Sequence, residues 1–240
     1  MKRLLLSMAV VTTVIFSLAS FAWSIDKEEE TKRVDKAGTV LTEITGAPDK
    51  GIPESVMKKA KCVVVVPSLV KAGFVFGGQY GRGVASCHNA GGWSAPAPIL
   101  IGGGSWGLQI GGEAVDLVLL VMNDKGMDSL LHDKFKLGAD ASAAAGPVGR
   151  QAEADTDAAM KAEVLTYSRA RGIFAGVTLN GAVVKQDKDA TKALYGNEIA
   201  YDSLLKGQVP PPSGSKSFLT ALKKFSAEAQ TASARKPEHK

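Results

Sequence analysis

Residues that could do chemistry are scarce in these 240 residues, and their spacing is uninformative. His88 follows Cys87, His132 stands beside Asp133, and His239 lies in the final residues. None has a second ligand at a spacing that zinc or iron sites use, so no metal is expected. Ser94, Ser105 and Ser168 lack the Gly-x-Ser-x-Gly elbow that exposes a nucleophile. Gly102-Gly103-Gly104 is not followed by Gly-Lys-Ser/Thr and runs on into strand-like sequence, which argues against a phosphate cradle. Among the carboxylates Glu113, Asp116, Asp140, Asp155 and Asp157, burial of Asp140 or Asp155 among small residues would raise a pKa as an acid catalyst requires. Capping of turns and helices is the favoured reading of the same positions. No catalytic residue and no cofactor are expected, and the chain reads as a non-enzyme.

The basic groups are better placed for function. Lys58, Lys59, Lys61, Lys71, Arg82, Arg150, Arg169 and Arg171 flank expected strands or helix ends. Gathered in space they would attract phosphate head groups, which arginine can grip through two hydrogen bonds. Trp93 and Trp106 suit either the core or a membrane interface, where an amphipathic ring is stable.

The N-terminus sets the compartment. Lys2 and Arg3 precede the apolar stretch Leu4 to Leu18, and Ser20-Phe21-Ala22 offers the small residues that signal peptidase needs. Cleavage is expected after Ala22, with Ser24 as the other option. The apolar stretch falls short of the roughly 20 residues of a spanning helix. Loss of Lys2 and Arg3 lowers the formal charge from +5 to +3, too mild to suggest nucleic acid. A periplasmic or secreted protein, peripherally membrane-associated, is the expectation. Cys62 and Cys87 are the only cysteines, each in or beside an apolar run. In an oxidising compartment they are expected to join neighbouring strands as a disulfide.

The elements follow from pattern. Val34, Ala37, Leu41 and Ile44 form a 3.6-residue stripe over residues 26–45, an amphipathic helix whose acids as well as bases suit packing on the body. Pro53 opens a second short helix. From Cys62 to Met122 short apolar runs are punctuated by glycine, which in strands marks bulges and bends. Residues 127–133 read as a short helix, and 162–171 and 172–179 as two strands. Asn180-Gly181 is expected to turn a hairpin between 177–179 and 182–184, followed by short helices near 191–195 and 199–205. Residues 207–215 read as a Pro/Ser linker. Phe218, Leu222 and Phe225 then share one face of a helix, 216–232, that either docks on the body or touches membrane. The organisation expected is a signal peptide over 1–22, a body over 23–206, and a linker, helix and disordered tail over 207–240. The fold class is α+β: a glycine-rich, strongly curled antiparallel or barrel-like sheet flanked by short helices.

Several blocks now stand out in order: Gly77-Gly78-Gln79-Tyr80-Gly81-Arg82-Gly83, Gly92-Trp93-Ser94-Ala95-Pro96, Gln109-Ile110-Gly111, Leu137-Gly138-Ala139-Asp140, Ala145-Gly146-Pro147-Val148-Gly149-Arg150, and Tyr167-Ser168-Arg169-Ala170-Arg171-Gly172-Ile173-Phe174-Ala175-Gly176. Through them the chain resembles the SYLF domain family between about Gly38 and Lys206. The resemblance implies a lipid-binding domain; eukaryotic members bind phosphoinositides and associate with membrane remodelling and actin. For an exported protein the equivalent partner is anionic phospholipid or another envelope amphiphile. An envelope protein partner is the alternative. Arg82, Arg150, Arg169 and Arg171 lie inside the matching blocks and are the foremost lipid-binding candidates, supported by Lys58, Lys59, Lys61 and Lys71.

Overall fold

The computed structural model describes residues 26–46, 51–73, 76–106, 111–132, 134–148, 161–170, 173–177 and 179–231. Its centre is a long antiparallel ribbon: β1 (Cys62–Gly73), β2 (Phe76–Asn89), β4 (Ala97–Trp106) and β5 (Gly111–Val121), with β3 (Gly92–Trp93) paired to β2. Further strands are β6 (Lys134–Lys136), β7 (Ala143–Ala145), β8 (Val164–Ala170), β9 (Ile173–Gly176) and β10 (Val183–Gln186). The sheet order is β6-β10-β4-β2-β1-β5-β8-β7, with β9 attached to β8. All pairs are antiparallel except β7 with β8.

That order forces the curl. β6 and β7 lie at opposite ends of an eight-strand path, which if flat would separate them by about 34 Å. The chain from Lys136 to Ala143 can reach at most about 25 Å, and part of it is folded into a turn in which the Asp140 amide donates to the Lys136 carbonyl (2.8 Å). The sheet therefore bends into a half-barrel. Phe135 and Val184 from one end meet Val164 from the other in a single inner core, with Val64, Val66, Leu69, Ile99, Ile101, Leu117 and Leu119 between them.

The outer face of the same strands is equally apolar, and helices cover it. Val63, Val65, Val84, Val118, Leu120, Leu165 and Tyr167 pack against α1 (Lys27–Thr45), α2 (Glu54–Lys59) and α6 (Lys216–Thr231). On α1 the expected stripe Val34, Ala37, Leu41 and Ile44 is buried, with Val40 added. Its first turn is capped by Asp26, whose carboxylate accepts from the Glu28 amide. The smaller helices are α3 (Asp124–Leu131), α4 (Lys188–Tyr195) and α5 (Tyr201–Leu205).

Cys62 and Cys87 are register partners on β1 and β2, buried and joined by a disulfide. Closing 25 residues contributes about 3.5 kcal/mol in the chain-entropy account.

One open expectation is decided and two change. The C-terminal helix is part of the body: Phe218, Leu222 and Phe225 are buried in the outer core, Phe225 meets Trp93 edge-on, and the Trp93 indole N–H donates to Ser226 Oγ (2.7 Å). A body ending at Lys206 would strip this cover from the sheet. Asn180-Gly181 does turn the chain, with Gly181 at φ +89°, but it does not make a hairpin. Both edges of β10 are already taken, by β4 and β6, and β9 pairs with β8. Finally, Asn123 begins α3 as its N-cap, its side chain accepting from the Gly126 amide (2.9 Å), so the helix starts earlier than 127.

The crossing of α1 and α6 depends on Gly38, where a Cβ would lie 2.9 Å from the Phe218 backbone nitrogen. Gly38→Val is expected to force the helices apart and cost about 1–3 kcal/mol, typical of overpacking. Thermal denaturation checks this, and an unchanged melting temperature would contradict the crossing.

Candidate functional site

Arg82 and Arg169, both expected as lipid ligands, are held by carboxylates. From β2, Arg82 projects onto the outer face and donates through Nε (2.9 Å) and Nη2 (2.8 Å) to Asp187, the N-cap of α4. Its Nη1 lies 3.7 Å from Glu30 of α1, a carboxylate only 1% exposed that also pairs with Arg33. From β8, Arg169 donates through Nε (3.0 Å) and Nη2 (2.7 Å) to Asp116 of β5 and pairs with Glu43 near the other end of α1. Each arginine thus sits between a carboxylate of the body and one of α1. Their role in this structure is to brace the helix on the sheet, and neither stands as an open cation for a lipid.

The remaining candidates do not form one cluster. Lys58 and Lys59 are exposed in the last turn of α2, and Lys61 pairs with Asp124 (2.6 Å). Lys71 lies about 30 Å further along, towards the far end of β1. Arg150 and Arg171 fall outside the described residues, as do Asp155, Asp157 and the side chain of Trp106. Asp140 accepts from the Lys136 amide (2.7 Å) and closes the turn after β6, in keeping with the capping reading. Gly102-Gly103-Gly104 is strand.

The residues that pattern-reading missed lie at the glycine-rich end of the outer face. Val70 and Tyr80 are register partners on β1 and β2, 51% and 56% exposed, where comparable side chains nearer the middle of these strands are covered. The next register row of that face, Gly104, Gly78, Ala72 and Gly112, carries almost no side chain. Among the described residues a Cβ at Gly78 would meet nothing within 4 Å, so no packing contact of theirs accounts for the glycine. Between this face and the first half of α1 runs a groove of about 540 Å³, lined by Val70 and Tyr80 and by Glu29, Lys32, Lys36 and Arg82 among others. The signal that could have revealed the edge of the site is Glu30, which falls on the same helical stripe as Val34, Ala37, Leu41 and Ile44. An acid on a buried stripe needs a cationic partner.

A further charged site is structural. Glu163, at the entry to β8, accepts from Lys125 (2.6 Å) and from the Ser142 amide (2.8 Å), and its own amide donates to Ser142 Oγ (3.0 Å). The Lys125 contact, followed by the Ser142 bonds, outweighs desolvation and holds the carboxyl below its usual value. Among the described residues no group of three metal-ligating side chains occurs, and no helix is long and apolar enough to cross a membrane.

Fold and site together define an α+β domain on a curled sheet, with a helix clamped across its outer face and a groove at one end. Residues 102–225 match the family described as Ysc84, Las17-binding protein actin regulator. The chain belongs to this Ysc84 family, the SYLF domain proteins. It is 37% identical over 196 residues to an SH3 domain-containing protein of Schizosaccharomyces pombe, covering 78% of the chain and 45% of the relative. Identity is 34% over 217 residues to the human SH3 domain-containing YSC84-like protein 1, covering 87% and 63%. It is 34% over 191 residues to LAS seventeen-binding protein 3 of Saccharomyces cerevisiae, covering 77% and 41%. The chain thus spans about two-fifths to three-fifths of these relatives.

Two outcomes are expected. Arg82→Ala leaves Asp187 buried without its cationic partner, Glu30 keeping Arg33, and should destabilise the fold by about 3–5 kcal/mol, as loss of one partner of a buried pair does; urea denaturation measures it. For Glu163, the folded-state pKa lies below the unfolded one, so its stabilisation is full above the ordinary carboxylate range and is lost as pH falls through it. Glu163→Gln should therefore be less stable than the parent at pH 7, with the difference closing at pH 3. A difference that stays constant with pH would contradict the assignment.

Proposed function

We propose that the chain is an exported, non-catalytic lipid-binding protein that associates with anionic phospholipid or another envelope amphiphile. The observation that carries this reading is the exposed Val70–Tyr80 pair beside Lys32 and Lys36. An apolar pair flanked by cations suits the boundary between acyl chains and anionic head groups, where an amphipathic tyrosine is stable and each cation contributes about 1 kcal/mol. Family membership supports the lipid reading. The N-terminal 22 residues, with the features of a signal peptide, and the Cys62–Cys87 disulfide support export, since disulfides persist in oxidising compartments. The acids within hydrogen-bonding networks, Asp116, Asp140 and Asp187, have structural duties that support a binding role over catalysis.

A second reading, contact with another envelope protein, draws on the name of the yeast relative, a LAS seventeen-binding protein. The same apolar pair would serve it. Purified mature protein is expected to sediment with phosphatidylglycerol vesicles, less so as salt rises, and little with phosphatidylcholine vesicles. Val70→Ser/Tyr80→Ser should weaken the binding without changing the melting temperature. Equal sedimentation with both lipids would overturn the electrostatic form of the proposal.

A further inference from the structure

The groove beside α1 is a recess rather than a protruding surface, and its volume of about 540 Å³ lies in the range of pockets that hold one small molecule. Its cations are unequal. Arg33 and Arg82 are engaged by Glu29, Glu30 and Asp187. Lys32 makes only an exposed pair with Glu28 (2.6 Å), of the kind worth little and easily exchanged. Lys36, four residues on, has no ion pair among the described residues. Asp35 lines the groove as well, but Ser217 donates a hydrogen bond to it. One end of the groove therefore presents two available lysines on successive turns of one helix.

The other end is largely apolar, its polar groups limited to the side-chain hydroxyls of Tyr80 and Ser68, and its strand backbone has no free hydrogen-bonding edge. Val70 and Tyr80 stand on β1 and β2, both internal strands, whose peptides at this point are laddered on either side: Val70 with Tyr80 and Ala114, Tyr80 with Val70 and Gly102. A hydroxylated ligand such as a sugar would find fewer partners there than the water it loses. A hydrocarbon chain would lose nothing. Past Tyr80 the surface continues over Gly78, Gly104 and Gly112, positions that themselves carry no side chain. The two ends together have the polarity of an anionic amphiphile.

We infer that this groove binds a single anionic amphiphile as a one-to-one complex, with its head group at Lys32 and Lys36 and its hydrocarbon chain against Val70 and Tyr80. The inference rests on the lipid-binding reading and goes further: the molecule takes one amphiphile out of its aggregate, where adhesion to a bilayer would leave it in place.

The test is isothermal titration of the mature protein with dodecyl phosphate below its critical micelle concentration, alongside inorganic phosphate, dodecanol and dodecylphosphocholine. Dodecyl phosphate is expected to bind with a stoichiometry of one, inorganic phosphate not measurably, and the other two more weakly. Lys36→Gln should weaken binding about fivefold, the equivalent of ~1 kcal/mol per cation, and Lys32→Gln/Lys36→Gln further still. Tyr80→Ser should weaken it through the chain and reduce the preference for longer alkyl groups. These positions are exposed, so melting temperatures should not move, and only variants that keep them are compared. Unchanged affinity in both Lys36→Gln and Tyr80→Ser would overturn the assignment. Sedimentation with anionic vesicles but no binding of monomeric dodecyl phosphate would overturn the one-to-one complex alone and leave surface adhesion standing. Failure of both would remove the lipid reading with it.

Discussion

β1 is apolar on both faces, and this constraint organises the molecule. Val63 and Val65 face outwards while Cys62, Val64 and Val66 face inwards, all fully buried. A strand of this kind cannot lie in a sheet with one side in water, so both sides must be covered. Inside, the cover is the sheet itself, curled until its ends meet; outside, it is α1 and α6. The short connection between β6 and β7 makes the curl obligatory, and the close approach at Gly38 lets two helices share one sheet face.

Covering the outer face with a helix from the far N-terminal side raises a problem of attachment, since α1 reaches the sheet through no turn shorter than the segment leading to α2. The arginine clamps at Arg82 and Arg169 address it at two points along the helix. Buried pairs of this kind contribute little net stability compared with apolar packing, because desolvation opposes the Coulomb attraction. Their effect is on register. A shift of α1 by one turn would carry Glu30 away from Arg82 and Glu43 away from Arg169, so the penalty falls on wrong placements. That fixed placement gives the groove beside α1 a defined width.

Much of this was legible in the sequence, and the failures share a cause. The stripe on α1, the glycine-punctuated strands and the signal for curl are local patterns, and they were read correctly because burial enforces them. The pairing of Cys62 with Cys87 also followed from flanking strand runs. What could not be read was which partner each element would choose. Asn180-Gly181 has ideal turn chemistry, yet β4 and β6 compete for β10 and win. The linker after Lys206 looks like the end of a domain, but Phe218, Leu222 and Phe225 are needed on the sheet. Arg82 and Arg169 lie in distinctive blocks, and their type suggested phosphate. Only the fold shows that carboxylates distant in sequence are already there. Conversely, Val70 and Tyr80 look like ordinary strand residues, and it is the place where α1 stops covering the sheet that leaves them in solvent.

The covering helices also give the molecule two unlike poles. The first turns of α1 border the groove, whereas the last described turns of α6 lie on Trp93, near the disulfide at the opposite end of β1 and β2. Anything joined upstream of Asp26 is therefore delivered next to the groove, and anything joined downstream of Thr231 departs from the other end, about 30 Å away. Such an arrangement lets the same fold carry additional modules at its C-terminal pole without obstructing the groove. A tether at the N-terminal pole, by contrast, would fix the direction in which the groove looks.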